Sequence, residues 1–410
     1  MIRSSKHSLK DCNPGKQTAI TGFVSRYRDT VQKYVNILWN DFRDEGCSYL
    51  PSNVCNSIDS GVEIDARIRQ CAAAQACAMV NGTMIKHRKR LFVLGKLQRE
   101  SEKDTKYLQR KIDCFPPSKP NADKVNPVLD SRFVDFQETE DGHFDMFVRV
   151  SQLGDKEEIT IPLVYNKVSN KWRELGERKG SIRLGEKNVT LFFEVPDVPK
   201  RKEGRVLGAD QGMLTALTLS DGQATQKDCH GHDLSSICAK LSRREKGSKG
   251  FEQAQSHRTN YTNWSINQLN FNGVKKVNLE RIFNLRKGKS SSRKLSHWAY
   301  TGIKTKLVRL SEVEGFDLVE QDNKFRSQRC SKCGWVHKSN RKGKTFKCTS
   351  VNCDFVADAD LNAASNHETE LCDVSRAWLD HLNRGPGFYW MKDGLYDRGG
   401  EPIVPRTKKE

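Results

Sequence analysis

Four cysteines in the last quarter of the chain have the spacing of a metal site. Cys330 and Cys333 form a C-x-x-C pair followed by glycine, and Cys348 and Cys353 form a second pair. Zn²⁺ prefers four soft ligands in a tetrahedron, and two cysteine pairs on facing turns supply them. Four independent thiols are the alternative, but the paired spacing and the glycine favour a structural zinc site.

Three acidic residues stand at the ends of apolar stretches, where their carboxylates could bind cations. Asp210 ends VLGAD, Glu280 ends VKKVNLE, and DADLNAASN, with Asp358 and Asp360, follows the fourth cysteine. Taken singly, each has a simpler explanation: a turn, a surface ion pair or a helix cap. Their order along the chain is that of an RNase H-like site, where carboxylates from separate elements hold two divalent ions about 4 Å apart. Mg²⁺ suits such hard oxygen ligands.

The composition favours a polyanionic partner. Lys and Arg number 70 against 51 Asp and Glu among 410 residues, a net charge of +19. Nucleic acid is the leading candidate and a membrane surface the second. No apolar run reaches the roughly 18–20 residues of a membrane span, and the N-terminus lacks the apolar core of a secretion signal. We therefore expect a cytoplasmic protein whose cysteines are mostly thiols.

The stretch around the cysteines is itself basic. Between Lys324 and Lys347 there are nine Lys or Arg residues and no acid, with aromatic residues interleaved. Phosphate contacts with some base stacking would explain this composition, and a solvated structural knuckle is the alternative. The candidate nucleic-acid contacts here are Arg326, Arg329, Lys332 and Trp335.

The remaining elements must position these groups. Residues 15–114 are expected to be helical, and a proline-rich linker follows at 114–127. Apolar residues then alternate with a period of two, which predicts a small antiparallel β-barrel within 128–197. From residue 205 strands and helices mix. The expected fold class is α+β multidomain. The helical face predicted near the N-terminus is formed by Val24, Tyr27, Val31, Tyr34 and Leu38.

The motifs VLGADQG, VNLERI, SQRCSKCG and DADLNAASN, in this order, resemble a known family. They are similar to the RuvC nuclease and zinc ribbon of TnpB, the transposon-encoded RNA-guided nuclease, and of compact type V CRISPR effectors. The resemblance covers roughly residues 205–367. It implies that Asp210, Glu280 and Asp360 are the catalytic Mg²⁺ ligands, and that Asp358 is a neighbour that either assists them or only caps the helix. It also implies that the four cysteines bind Zn²⁺.

The resemblance further implies the roles of the other segments. AKLSRREKGSKG is similar to the family's basic helix between the first two catalytic segments, and its candidate nucleic-acid contacts are Arg243, Arg244, Lys246 and Lys249. The implied domains are an N-terminal segment that could add a wedge strand (1–14), a helical recognition lobe (15–114), a β-barrel wedge domain (115–200), an RNase H-like RuvC domain (201–325 and 357–375) with an inserted zinc ribbon (326–356), and a C-terminal tail (376–410).

The implied function is RNA-guided DNA cleavage. A guide RNA would pair with target DNA beside a short flanking motif, and one two-metal site would cut both strands. The implied partners are guide RNA and double- and single-stranded target DNA, with a homodimer possible and no membrane. The protein would be prokaryotic or phage-encoded and associated with the nucleoid. The alternatives are an RNA-guided repressor that does not cut, and a guide-independent DNA endonuclease or transposase.

Overall fold

The fold is α+β, as the sequence predicted, and the chain divides into two compact units. The computed structural model describes residues 1–43, 64–100, 105–140, 142–151, 158–282 and 292–404. The first unit is Met1–Pro196 and the second is Asp197–Glu410. Within the described ranges, no helix combines the length and apolar character that a membrane crossing requires.

Three helices lie within the first 114 residues of the first unit, and two of them are the longest that the structure describes. The three are α1 (Pro14–Ile37), α2 (Ala66–Glu100) and α3 (Thr105–Cys114), and a π-turn at Leu38–Phe42 follows α1. The Asn13 side chain caps α1 by accepting a hydrogen bond from the Lys16 amide, and Pro14 occupies the first helical position, where its missing N–H costs nothing. The predicted apolar face of α1 is fully buried, which confirms that part of the prediction. Residues 44–63 and 101–104 of the predicted helical region lie outside the described residues.

The strands of the first unit form two separate sheets. These strands are β1 (Ile2–Ser8), β2 (Val128–Leu129), β3 (Val134–Glu138), β4 (Met146–Val150), β5 (Ile159–Leu163), β6 (Glu177–Leu184) and β7 (Asn188–Glu194), with helix α4 (Lys167–Leu175) between β5 and β6. The orders are β1-β7-β6-β2 and β3-β4-β5. The predicted closed barrel is therefore not found among the described strands, because closure needs one continuous ladder and these two ladders end separately. The N-terminal segment does contribute a strand, since β1 pairs along its whole length with β7.

The second unit is built on a mixed four-stranded sheet. Its first elements are β8 (Arg205–Asp210), β9 (Thr218–Leu219), α5 (Leu234–Ser242), α6 (Lys249–Asn267), β10 (Val274–Arg281), α7 (Arg293–Ser296), α8 (Tyr300–Glu314) and β11 (Asp317–Asp322). The sheet order is β11-β10-β8-β9. Strands β8, β10 and β11 are parallel, and β9 runs antiparallel to β8. The carboxyl ends of three strands therefore meet at one edge, which is where open α/β sheets bind ligands.

A second group of short elements follows β11. It contains β12 (Trp335–Val336), a 3₁₀ turn (Lys338–Asn340), β13 (Arg341–Lys342), β14 (Thr345–Lys347), β15 (Val356–Asp358), α9 (Ala359–Glu368), α10 (Arg376–Leu382), β16 (Phe388–Trp390) and β17 (Leu395–Tyr396). Strands β13, β14 and β15 form one antiparallel sheet, and β12, β16 and β17 form another. The segment predicted as a tail is thus folded: β16 pairs with β12, and Leu379, Phe388 and Trp390 share a buried cluster with Val336.

Helix α9 lies directly against strand β8, and a glycine permits this. A Cβ at Gly208 would lie 2.9 Å from the His367 carbonyl carbon, and closer still to the Ala364 carbonyl oxygen. Backbone atoms cannot rotate away as a flexible side chain can. Gly208 therefore sets the close approach of α9 to the strand that carries Asp210.

Candidate active site and metal centre

Asp210 and Glu280 lie at the carboxyl ends of the neighbouring parallel strands β8 and β10. Their preceding residues, Ala209 and Leu279, are partners in the strand register. The Glu280 carboxylate accepts hydrogen bonds from the Asn323 side-chain amide at 3.0 Å and the Gln211 backbone amide at 3.4 Å. The Gln211 side-chain amide also donates to the Glu280 carbonyl oxygen at 3.0 Å. These contacts fix the Glu280 carboxylate beside the end of β8.

Asp360 reaches the same place from helix α9. It is the second residue of the helix and is only 5 % exposed. Asp358 is the helix cap, because its carboxylate accepts hydrogen bonds from the amides of Asp360 at 2.9 Å and Leu361 at 3.1 Å. The two aspartates of DADLNAASN therefore have different surroundings, and only Asp360 is buried beside the strand-end acids.

The charges of Glu280 and Asp360 act on the buried carboxyl of Asp210. Burial raises the pKa of the Asp210 carboxyl well above its ordinary range, and the nearby charges of Glu280 and Asp360 raise it further, against the opposing effect of Arg341 and Lys344. Burial likewise raises the pKa of Glu280, while the hydrogen bonds from Asn323 and Gln211 oppose the rise. Because buried carboxylates repel one another when ionised, such a group is stabilised either by protonation of one member or by a bound cation.

Two basic residues that the sequence did not single out face this cluster. The Arg341 guanidinium donates to one Asp360 oxygen at 3.0 Å, and the Lys344 ammonium pairs with the other. Both residues belong to the β13–β14 hairpin, and the Lys344 carbonyl also accepts a hydrogen bond from the Ala359 amide at 2.8 Å. The only sequence signal was their membership of the basic stretch 324–347. Their pairing with Asp360 depends on the hairpin geometry.

The four predicted cysteines come together. Their sulfur atoms all lie within 4.8 Å of one another, with Cys330 to Cys353 at 3.9 Å and Cys333 to Cys348 at 3.6 Å. Zn–S bonds of about 2.3 Å in a tetrahedron place the sulfur atoms about 3.8 Å apart. A hydrogen bond from Cys333 lowers the pKa of the Cys330 thiol. This cluster has the ligands and the size to hold a zinc ion.

A buried polar network attaches helix α9 to the cysteine region. Asn362 and Asn366 donate to the Arg329 carbonyl oxygen at 2.9 and 2.7 Å. The Asn362 oxygen accepts from the Ser331 amide at 3.0 Å, and the Asn366 oxygen accepts from the Arg329 guanidinium at 2.6 Å. Both asparagines are at most 1 % exposed. They therefore tie the segment that carries Asp360 to the backbone beside Cys330.

Three of the predicted nucleic-acid contacts are buried. Arg326, Arg329 and Trp335 are 8 %, 4 % and 3 % exposed. Arg326 donates to the carbonyl oxygens of Asp322 and Asn366, and Arg329 donates to that of Trp390 at 2.8 Å. Guanidinium groups that satisfy buried carbonyls contribute to the stability of the fold, and a role of these three residues in nucleic-acid binding stays a prediction.

The other predicted contacts lie at the surface. Lys332 is exposed and pairs with Asp354 at 3.2 Å, a weak surface interaction. The basic stretch 243–249 is not one helix: residues 243–248 form the turn between α5 and α6, where Gly247 has a φ of +90° and Ser248 caps α6, and Lys249 is the first residue of α6. The remaining predicted contacts, Arg243, Arg244, Lys246 and Lys249, are exposed. Their role in nucleic-acid binding stays a prediction.

Comparison with known proteins agrees with the motifs. Residues 300–367, which include the four cysteines and Asp360, match the family model of the Cas12f1-like TNB domain. A CRISPR-associated endodeoxyribonuclease Cas12f1 from Sulfoacidibacillus thermotolerans is 32 % identical over 117 residues, which are 28 % of this chain and 26 % of the relative. A second Cas12f1, from Syntrophomonas palmitatica, is 26 % identical over 153 residues and covers 30 % of each chain.

Solved structures of compact effectors also align with the chain. A cryo-EM structure of a Cas12f1–sgRNA–target DNA complex aligns over 86 % of this chain and 82 % of that one, at 14 % identity and a TM-score of 0.47. The mini-RNA-guided endonuclease CRISPR-Cas_phi3 aligns over 90 % of this chain and 92 % of that one, at 11 % identity and a TM-score of 0.49. The matches to the curated relatives span less than a third of their lengths. The resemblance to the TnpB and compact type V effector family that the motifs predicted is confirmed.

Proposed function

We propose that this protein is an RNA-guided DNA endonuclease. The observation that carries the proposal is the convergence of Asp210, Glu280 and Asp360, from three separate elements, on one edge of the sheet. The similarity of the chain to Cas12f1 endodeoxyribonucleases supports DNA as the substrate. The net charge of +19 supports a large polyanionic partner such as a guide RNA with its target.

The residues of the site fit divalent metal ions. Three carboxylates offer hard oxygen ligands, which Mg²⁺ prefers. The buried side-chain oxygen of Gln211, next to Asp210, has no hydrogen-bond partner among the described residues, so an acceptor is left for a cation or its water. When bound, such ions would activate a water for attack on the phosphodiester and stabilise the departing oxygen.

The protein side chains would hold and neutralise the reacting groups. Asp210 and Glu280 sit on rigid strand ends, and Asp360 is held by the first turn of α9. Arg341 and Lys344 place positive charge beside Asp360, so a phosphate that approaches the acids meets cations as well. We infer that these two residues help to bind the scissile phosphate.

The four-cysteine cluster is proposed to bind structural zinc. Strand β15 follows Cys353 closely and runs without interruption into α9. An ion held by the cysteines would therefore stabilise the segment that ends in Asp360. In this proposal the zinc site orders the active site and takes no part in the chemistry.

The test begins with the RNA that co-purifies with the full-length protein. Sequencing it identifies the guide, and a plasmid with the matching target is then incubated with the complex and Mg²⁺. We expect cleavage by the wild type and none by Asp210→Asn, with guide and target binding retained. Wild-type protein that binds the matched target with Mg²⁺ but never cuts would support the repressor alternative instead. Cutting that needs no RNA would support the guide-independent nuclease.

A matched pair of substitutions separates a metal ligand from a helix cap. Asp360→Asn removes a buried carboxylate beside Asp210. Asp358→Asn removes a carboxylate two residues earlier, and asparagine there is still a good capping residue. We expect Asp360→Asn to reduce cleavage at least about 1,000-fold, as losses of essential active-site groups do. Asp358→Asn should retain activity within a few-fold. The reverse result would transfer the ligand role to Asp358.

A further inference from the structure

A second cluster of metal-ligating side chains lies away from the acids and the cysteines. Asp228 and His232 belong to the loop between β9 and α5, and His257 lies on α6. One ligand atom from each residue lies within 4.8 Å of the others. All three side chains are partly exposed, at 16 %, 41 % and 30 %, so an ion can reach them from solvent.

Two of the three distances between ligand atoms are those of a metal-ligand tetrahedron. The Asp228 Oδ2 atom lies 3.3 Å from His232 Nδ1 and 3.5 Å from His257 Nε2. A tetrahedral ion with bonds of about 2.1 Å holds its ligand atoms about 3.4 Å apart. A charge-assisted hydrogen bond between histidine and aspartate would instead be about 2.7–2.9 Å long. Both contacts are longer than the best charge-assisted hydrogen bonds and close to the edge of a metal-ligand tetrahedron, although each is also within ion-pair range.

The loop is shaped to present these ligands. The Asp228 Oδ1 atom accepts the backbone amides of His230 and His232, each at 2.9 Å, which directs Oδ2 toward the two imidazoles. The turn closes through a hydrogen bond from the Gly231 amide to the Asp228 carbonyl oxygen at 2.9 Å, and Gly231 has the positive φ that the turn requires. Hydrogen bonds to the second carboxylate oxygen are typical of ligands fixed in advance.

Helix α6 contacts the same loop at a second point. The Tyr261 hydroxyl, one helical turn beyond His257, donates to the Gln226 carbonyl oxygen at 2.9 Å. The rings of His232 and His257 lie 5.0 Å apart and nearly perpendicular, at 85°. The imidazoles thus meet the carboxylate from two directions.

We propose that Asp228, His232 and His257 bind one divalent transition metal ion of the zinc class, with water completing its coordination. Two imidazoles and one carboxylate select Zn²⁺, Co²⁺ or Ni²⁺ over Mg²⁺. The ion joins the loop before α5 to the middle of α6, and its role is to stabilise this part of the second unit. This site is independent of the proposed nuclease chemistry.

The experiment measures metal content in full-length protein purified without a histidine tag. After equilibration with Zn²⁺ and removal of free ion, the wild type should hold one equivalent more zinc than His257→Gln. His230→Gln is the matched control, because His230 is exposed on the same loop and is not among the three ligands. This control should keep the wild-type content. Equal zinc in wild type and His257→Gln, or an equal loss in both variants, would overturn the proposal.

Cobalt gives a second readout that separates this site from the cysteines. Co²⁺ in the wild type should show the weak visible bands of nitrogen and oxygen ligation, and His257→Gln should lack them while any thiolate-to-cobalt absorption remains. Added Zn²⁺ should raise the Tm of wild type and of His230→Gln more than that of His257→Gln. Where His257→Gln fails to fold, Asp228→Asn serves instead, since asparagine can still accept the loop amides. Spectra and Tm shifts identical to wild type would refute the site.

Discussion

Gly208 offers the sharpest test of how the proposed active site is assembled. In Gly208→Ala, the new methyl group would overlap backbone atoms of Ala364, His367 and Glu368 in helix α9. Ordinary contact begins at about 3.4 Å, so strand and helix must separate by on the order of 1 Å. The cost of such overpacking is about 1–3 kcal/mol of unfolding free energy.

The effect on cleavage should exceed the effect on stability. The displaced helix carries Asp360, whose carboxylate must stay in place relative to Asp210 and Glu280. A misplacement of about 1 Å in a reacting constellation costs roughly 100-fold in rate. We therefore expect Gly208→Ala to fold and to bind guide RNA and target, but to cut at about 1 % of the wild-type rate.

The assay is single-turnover cleavage of the matched target, with urea unfolding and zinc content measured on the same preparations. Gly302→Ala is the matched control, because its Cβ would meet nothing nearer than Ala299 at 3.8 Å. Gly302 lies within helix α8, so alanine there should stabilise the protein by about 0.5–1 kcal/mol and leave cleavage unchanged. A folded Gly208→Ala variant that cuts at the wild-type rate would refute the claim that this contact positions Asp360.

Three further predictions test the surroundings of the site. Asp210→Asn should raise the unfolding free energy of the metal-free protein more at pH 8 than at pH 5, because burial raises the folded-state pKa of Asp210 and the stability contributed by its protonated form is lost as pH rises. A gain in urea unfolding that is equal at the two pH values, or smaller at pH 8, would contradict this. Cys333→Ser should remove the zinc of the cysteine cluster, lower the unfolding free energy by on the order of 4 kcal/mol and abolish cleavage. Full cleavage activity by zinc-free protein would exclude a structural role for the zinc ion. Asn366→Ala should lower the unfolding free energy measured in urea by about 2–4 kcal/mol, because the buried Arg329 guanidinium loses the Asn366 side-chain oxygen as its acceptor. A decrease below about 0.5 kcal/mol would contradict the proposed hydrogen-bond network.

The sequence predicted the features that depend on local pattern. Apolar runs ending in Asp210 and Glu280 predicted strand ends, and both residues do end or nearly end parallel strands. The helix after Asp358 also follows from local chemistry, since a capping aspartate precedes small helix-forming residues. The close sulfur cluster follows from the paired spacing of the cysteines. In each case the information lies within a few residues of the group concerned.

The features that depend on distant parts of the chain were not predictable in this way. A basic stretch does not reveal which cations face solvent, and Arg326 and Arg329 are buried because carbonyl oxygens far along the chain accept their hydrogen bonds. Trp335 is buried because β12 pairs with β16, more than fifty residues later. The prediction of a closed barrel was wrong for a similar reason. Alternation of apolar residues predicts strands but does not determine which strands pair.

The uninterrupted passage from β15 into α9 has a consequence for the timing of assembly during synthesis. Asp210 and Glu280 emerge from the ribosome long before Asp360, and they lie on a sheet that α9 must later cover. A nascent chain that has not reached the cysteine cluster therefore holds two of the three acids. On the proposed function, a chain that ends before Asp360 lacks one of the three carboxylates and would not cut DNA, so cleavage would have to wait until about three quarters of the second unit has been made.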